Sequence, residues 1–180
     1  MFKLFDDEIE NKFTWNTFDE VEKGRLNLGS EMPVFVYRLF QFTMRKELEK
    51  QFGKEKADEI FRNSGKEAGI ELATNILDLE LPFAEFIAHL QSVLEGSKIG
   101  ILRVELYDEK TSKAIITIGE DLDCSGLPVT GETVCTYDEG FLAGILSLYT
   151  KKNYTVKEID CWATGARVCR FEAVVAKDGI

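Results

Sequence analysis

Three cysteines and a glutamate near the end of the 180-residue chain have the side-chain types of a metal site. Cys161 and Cys169 bracket the turn Thr164-Gly165-Ala166 of a hairpin spanning Tyr154 to Val174. Glu158 precedes Cys161 by three residues, and Cys135 opens the element before the hairpin. Zinc commonly takes four ligands from thiolate, imidazole and carboxylate, so Cys135, Glu158, Cys161 and Cys169 suffice for a closed, structural site. Three thiolates and a carboxylate against a zinc ion sum to about −2, which asks for N–H donors around them, such as those of a helix start. In a regular strand an odd offset puts Glu158 and Cys161 on opposite faces, so convergence needs a bulge or a strand end between them. The spacing is not that of a zinc finger, and it leaves metal ligation and packed, unpaired thiols both open. Cys124 stands in no spacing relation to the other three and reads as a free thiol. Disulfides are rare in the cytoplasm, where the chain is expected.

The elements that must bring these groups together follow from periodicity and punctuation. Residues Asn11 to Phe18 are aromatic and β-branched and read as an edge strand, and Lys23 to Met32 as a loop. A first long helix is expected from Pro33 to Phe52, stopped by Gly53, with Val36, Leu39, Phe40, Leu48 and Phe52 roughly on one face. A second runs from about Lys54 to Leu77 and carries Gly65 and Gly69 inside it, which points to close approach by another helix. A third runs from Pro82 to Glu95 and holds Phe86, Leu90 and the one histidine, His89. The period then changes to two. Ile99 to Asp108 and Lys113 to Glu120 form a hairpin about Glu109 to Ser112. A loop over Asp121 to Gly131 leads to a fourth helix from Cys135 or Thr136 to Lys151, and the closing hairpin follows. Helices and strands are segregated and paired strands are neighbours in sequence. The fold class is therefore α+β, an antiparallel sheet of about four to five strands covered by about four helices.

Length and composition bound the function. The chain reads as a single domain over 1–180, an N-terminal strand and helices over 1–96 and a cysteine-bearing core over 97–180. A net charge of −10 and a pI near 4.7 argue against nucleic acid or an acidic membrane as partner. The acidic amino terminus lacks the apolar run of a signal peptide, and no stretch reaches the length of a membrane helix, so a cytoplasmic protein without membrane insertion is expected. One histidine builds no catalytic triad, and no phosphate-cradling or dinucleotide-binding glycine motif is present, so no catalytic residue is assigned.

The stretches Val134-Cys135-Thr-Tyr-Asp-Glu-Gly140-Phe-Leu-Ala-Gly144 and Glu158-Ile-Asp-Cys161-Trp-Ala-Thr-Gly165-Ala-Arg-Val-Cys169-Arg-Phe171 resemble the core of the 4-vinyl-reductase domain family. The resemblance is strong over about the last 50 residues and less specific elsewhere. It implies a ligand-binding fold shared with Golgi transport-particle subunits, haem-based gas sensors and the sensor domains of phenol- and toluene-responsive activators. In those activators a zinc is held by a Cys at a helix start, a Glu and two further Cys, which match Cys135, Glu158, Cys161 and Cys169. The resemblance thus implies a structural zinc and a hydrophobic or aromatic small molecule as partner. The activators' ATPase and DNA-binding regions have no counterpart here, and their pocket His and Trp do not align securely. A pocket lined by Phe86, His89, Leu90, Leu142 and Ile145 is expected. A homodimer through the Phe-rich first helix, and an assembly role like that of the transport-particle relatives, is a further expectation. A tetrapyrrole vinyl reductase, or an accessory to one, is the enzymatic alternative.

Overall fold

The structure, a computed structural model, describes residues 15–18 and 20–176. These fall into two compact units, one ending at Met32 and the other beginning at Pro33. In the first, a 3-10 turn over Trp15–Phe18 precedes a single-turn helix, α1 (Val21–Gly24). The edge strand expected over residues 11–18 is thus corrected in its second half, and residues 11–14 lie outside the described residues. The cause is local. The rings of Trp15 and Phe18 meet edge-on at 5.4 Å, an i,i+3 contact that a tight turn makes and an extended strand does not.

The second unit carries the remaining elements. Pro33 is extended and opens α2 (Val34–Phe52). Gly53 takes φ +84°, ends α2 by donating its N–H to the Glu49 carbonyl, and opens α3 (Lys54–Ile76). Pro82 opens α4 (Phe83–Gly96). The hairpin β1 (Ile101–Asp108) and β2 (Lys113–Gly119) follows, then α5 (Thr136–Thr150) and the hairpin β3 (Tyr154–Asp160) and β4 (Cys169–Val175). All four strands form one antiparallel sheet in the order β1-β2-β4-β3, so the fold is α+β as the element pattern indicated.

The sheet is amphipathic, which fixes its register. Leu102, Ile116, Ile118, Phe171, Ala173 and Val156 are buried on one face. Arg103, Glu105 and Lys157 are exposed on the other. Phe86, Leu90 and Leu94 of α4 and Leu142 and Ile145 of α5 close the core. The bulge expected near Glu158 is present, as the β3–β4 register shifts between Glu158 and Asp160. Gly165 takes φ +98° in the turn between these strands. No residue of α2 is buried, although its apolar stripe is the one expected: Leu39 is 62% and Phe40 66% exposed. Among the described residues no helix is long and apolar enough to cross a membrane.

One contact organises the helices. Gly65 and Gly69 on α3 face Gly140 and Gly144 on α5, each pair at i,i+4 on one helical face. A Cβ on Gly65 would collide with the Tyr137 carbonyl, and one on Gly69 with the Phe141 carbonyl. Reciprocally, a Cβ on Gly140 would strike the Arg62 carbonyl and one on Gly144 the Lys66 carbonyl. The two backbones touch directly, and neither can retreat, because α5 is buried continuously from Asp138 to Leu146. Gly140→Ala is therefore expected to destabilise the protein by about 3 kcal/mol or more, through overpacking against backbone. Thermal unfolding should show this as a fall in Tm of roughly 6–12 °C, given about 2–4 °C per kcal/mol at this chain length. An unchanged Tm would mean that the helices are not locked together here.

Candidate functional site

Four buried thiols converge where α5 begins. Cys135 is the residue before α5, Cys169 begins β4, Cys161 stands between β3 and the 3-10 turn Trp162–Thr164, and Cys124 lies in the loop after β2. All four sulfurs lie within 4.8 Å of one another, an arrangement that can hold a metal ion. Cys135 Sγ is 3.8 Å from Cys161 Sγ and 3.7 Å from Cys169 Sγ. Four sulfurs at about 2.3 Å around a tetrahedral zinc stand about 3.8 Å apart, so these two separations are those of ligands sharing an ion. Cys124 Sγ is 3.0 Å from Cys169 Sγ, too close for a second ligand on the same tetrahedron.

Local turns aim each group. Asp121 Oδ1 accepts the N–H of Asp123 and of Cys124, closing the turn that carries Cys124 inward. Thr164 Oγ1 accepts the Cys161 N–H, while the Thr164 N–H donates to the Cys161 carbonyl. Crowded together, the thiols perturb one another. Hydrogen bonds from Cys124, Cys135 and Cys169 hold Cys161 well below the usual thiol range. Those with Cys124, Cys161 and Cys169 push Cys135 far above it. Four such sulfurs cannot all ionise without a cation among them.

Glu158, placed in the site on sequence, is 3% exposed and sits beside this cluster. Its Oε2 accepts the Cys135 N–H at 2.9 Å, and its Oε1 has no partner. Burial foremost, with the charge of Cys161 adding to it, pushes its carboxyl up to about 8. A buried carboxylate oxygen with nothing to accept from is destabilising unless a cation occupies the space. The donor set thus fits a metal: three thiols, two of their separations those of a tetrahedral edge, and one unmet carboxylate oxygen. Glu139, next on α5, is 1% exposed and fully engaged. It accepts from Arg62 Nε and Nη2 at 2.8 and 2.7 Å, from Lys157 Nζ at 2.7 Å and from the Glu158 N–H at 2.9 Å. It ties α3, α5 and β3 together behind the cluster.

The residues expected to line a ligand pocket lie elsewhere. Phe86, Leu90, Leu142 and Ile145 are at most 2% exposed and pack into the core. Tyr149 stacks on Phe86 at 3.8 Å. His89 is half-buried, and its Nδ1 accepts the Asp78 N–H at 3.4 Å. A cavity of about 430 Å³ instead opens between α2, α3 and the start of α5. Phe40, Met44, Leu48, Ile60 and Phe61 give it apolar walls, and Ser64 lies on the α3 side. Its polar end is Tyr37, Gln41 and Tyr137. Tyr37 Oη and Gln41 Nε2 both donate to Asp123 at 2.7 Å.

Two parts of this site were not read from the sequence. Cys124 reaches the cluster through a folded loop that spacing does not describe, although Asp121 three residues before it is a turn signal. The cavity is lined by an exposed face of α2, whose apolar residues look the same in sequence whether they meet core, ligand or solvent.

Comparison with known proteins follows the same lines. A model of the vinyl-4-reductase domain matches residues 114–175, from β2 to the end of β4. Uncharacterized protein MJ1642 of Methanocaldococcus jannaschii is 32% identical over 146 residues, 81% of this chain and 79% of that protein. The phenol-responsive sensory domain of the transcription activator PoxR, solved with phenol, superposes with a TM-score of 0.62 at 16% identity, over 82% of this chain and 78% of that one. A vinyl-4-reductase family protein of M. jannaschii superposes with a TM-score of 0.57 at 18% identity, over 83% of this chain and 85% of that one. At such identities the two structures share the fold. With the domain match over the thiol-bearing core and the relative spanning most of both chains, the protein belongs to the vinyl-4-reductase domain family.

Proposed function

We propose that this chain is a small-molecule-binding domain of the sensing kind, in which a zinc ion ties the site together and an apolar ligand occupies the cavity between α2, α3 and α5. The observation that carries this reading is the cavity itself. Its volume of about 430 Å³ lies within the range of small-molecule sites, its walls are apolar, and few polar groups converge on it. The phenol bound by the PoxR domain, on the same fold, supports it. We place the ligand here rather than among Phe86, His89, Leu90, Leu142 and Ile145, because four of those five are packed against other side chains. Ser64 is exposed and lines the cavity, so Ser64→Phe should fill it with little strain on the core. A thermal shift assay with small hydrophobic compounds should show stabilisation of the wild type and none of Ser64→Phe. Equal shifts in both would place the ligand elsewhere, and no shift in either would refute the reading.

For the ion we assign Cys135, Cys161, Cys169 and Glu158 as ligands, the carboxylate through the oxygen that otherwise has no partner. Cys124 then remains a thiol that donates to the Cys169 sulfur, in keeping with its 3.0 Å approach and its raised pKa. Such outer hydrogen bonds tune ligands without replacing them. A closed four-ligand zinc is structural, and its binding free energy becomes folding free energy. Elemental analysis of protein purified without chelator should find about one zinc per chain. Cys135→Ser should lose the metal and several kcal/mol of stability, and Glu158→Gln should lose most of it, whereas Cys124→Ser should keep it with an affinity lower by about 10–100-fold at most. Loss of zinc in Cys124→Ser but not in Glu158→Gln would reassign the fourth ligand to Cys124.

A second reading, self-association, rests on α2. Phe35, Leu39 and Phe40 are each more than 60% exposed on a helix of 19 residues. We infer that a second copy covers this stripe, in a protein we place in the cytoplasm. Multi-angle light scattering should return the mass of a dimer, and Phe35→Glu should convert it to a monomer. A monomeric wild type at working concentration would refute self-association.

A further inference from the structure

The polar end of the cavity leads to a second, smaller space. It has a volume of about 160 Å³ and shares Tyr37 and Tyr137 with the larger cavity as common walls. Its remaining lining includes Asp123, Asp138 and Phe141. Asp138 is 6% exposed, and its Oδ2 has no hydrogen-bond partner. Gln41, at the junction, has its amide nitrogen spent on Asp123 and its Oε1 buried without a partner. The unmet groups around the joined spaces are thus both acceptors, while the donors there, Tyr37 Oη and Gln41 Nε2, are already used.

The charge balance points the same way. Asp121, Asp123 and Asp138 are all buried in this region, and no ion pair to any of them is found among the described residues. Two arginines are close enough to act on Asp123 through space, Arg38 and Arg45. Both are committed elsewhere. Arg38 donates to the carbonyls of Leu122, Ser125 and Asp121. Arg45 pairs with Asp58 at 2.6 Å, bonds Thr136 and lies over the Phe61 ring. The ion assigned above leaves its own four ligands with a net negative charge. The aromatic rings of Tyr37, Tyr137 and Phe141 complete the smaller space, and ring faces attract cations.

We propose that the ligand of this domain is an apolar amine. Its hydrocarbon body fills the space between α2 and α3, and its protonated nitrogen enters the smaller space to donate to Asp138 Oδ2 and Gln41 Oε1. This rests on the small-molecule reading above and narrows it to a class. A neutral alcohol offers one donor and no charge, and an anion would be repelled by the buried carboxylates. The ammonium group supplies three donors and a positive charge to a site that lacks both.

Calorimetric titration of the zinc-loaded full chain with three matched probes tests it: 2-phenylethylamine, 2-phenylethanol and 3-phenylpropanoate. The amine should bind about tenfold or more tighter than the alcohol, as a charge-assisted hydrogen bond replaces a neutral one, and the carboxylate should not bind. In Asp138→Asn the preference for amine over alcohol should collapse toward one. The wild-type order of the three probes stands as a test even if that variant does not fold. Binding of the alcohol as well as or better than the amine, or an undiminished preference in a folded Asp138→Asn, overturns the amine assignment and leaves the small-molecule reading standing. Binding of none of the three overturns both.

Discussion

The fold depends on the direct contact of two backbones, those of α3 and α5, at four glycines. With no Cβ on Gly65, Gly69, Gly140 or Gly144, the helices approach until carbonyls of one lie against Cα atoms of the other. That proximity draws α5 into the middle of the domain, between α3 and the covered face of the sheet. A helix so placed cannot rotate or slide without colliding, and the orientation of every side chain on it is thereby set.

The first residues of α5 show what this achieves. Successive helical residues turn by about 100°, so neighbours in sequence serve different neighbourhoods. Cys135 goes to the thiol cluster, Tyr137 to the wall shared by the two cavities, Asp138 to the smaller cavity, and Glu139 to Arg62 and Lys157. The metal site and the ligand site are therefore coupled by construction, through the start of one rigid helix. A change at one is felt at the other through α5 rather than through a flexible loop.

The buried acids differ in how their charge is met, and the differences sort structure from function. Glu139 is met by two cationic side chains and a backbone N–H. Asp121 is met by two N–H groups of its own turn, although burial foremost still pushes its carboxyl up to about 7. Glu158 is met on one oxygen only, and the thiols beside it supply the other ligands of an ion. Asp138 has an unmet oxygen facing a space with aromatic walls. Leaving a charge unpaired inside a protein is destabilising by several kcal/mol, so the last two mark places where something from outside completes the site.

Much of this was legible in the amino-acid sequence. Pro33, Gly53, Pro82 and Gly96 punctuate the helices, because ring closure and a missing Cβ act locally whatever the fold. The change of period from 3.6 to 2 after Gly96 announced the sheet, and the glycines of α3 announced a close helix contact, later found to be with α5. The odd offset from Glu158 to Cys161 required a bulge, and the register shift at Glu158 is that bulge. Trp15 to Phe18 misled, since aromatic and β-branched composition reports burial and stiffness but not which local contact two rings will choose. Cys124, the cavity of α2 and the unmet oxygen of Asp138 were decided by tertiary structure alone. Each depends on distances between segments far apart in the chain, on how a loop closes and how far two helices stand apart, and periodicity carries no information about those. The sequence by itself determined the elements and three of the thiols that meet. Only packing decided which space stayed open, and which buried charge was left without a partner.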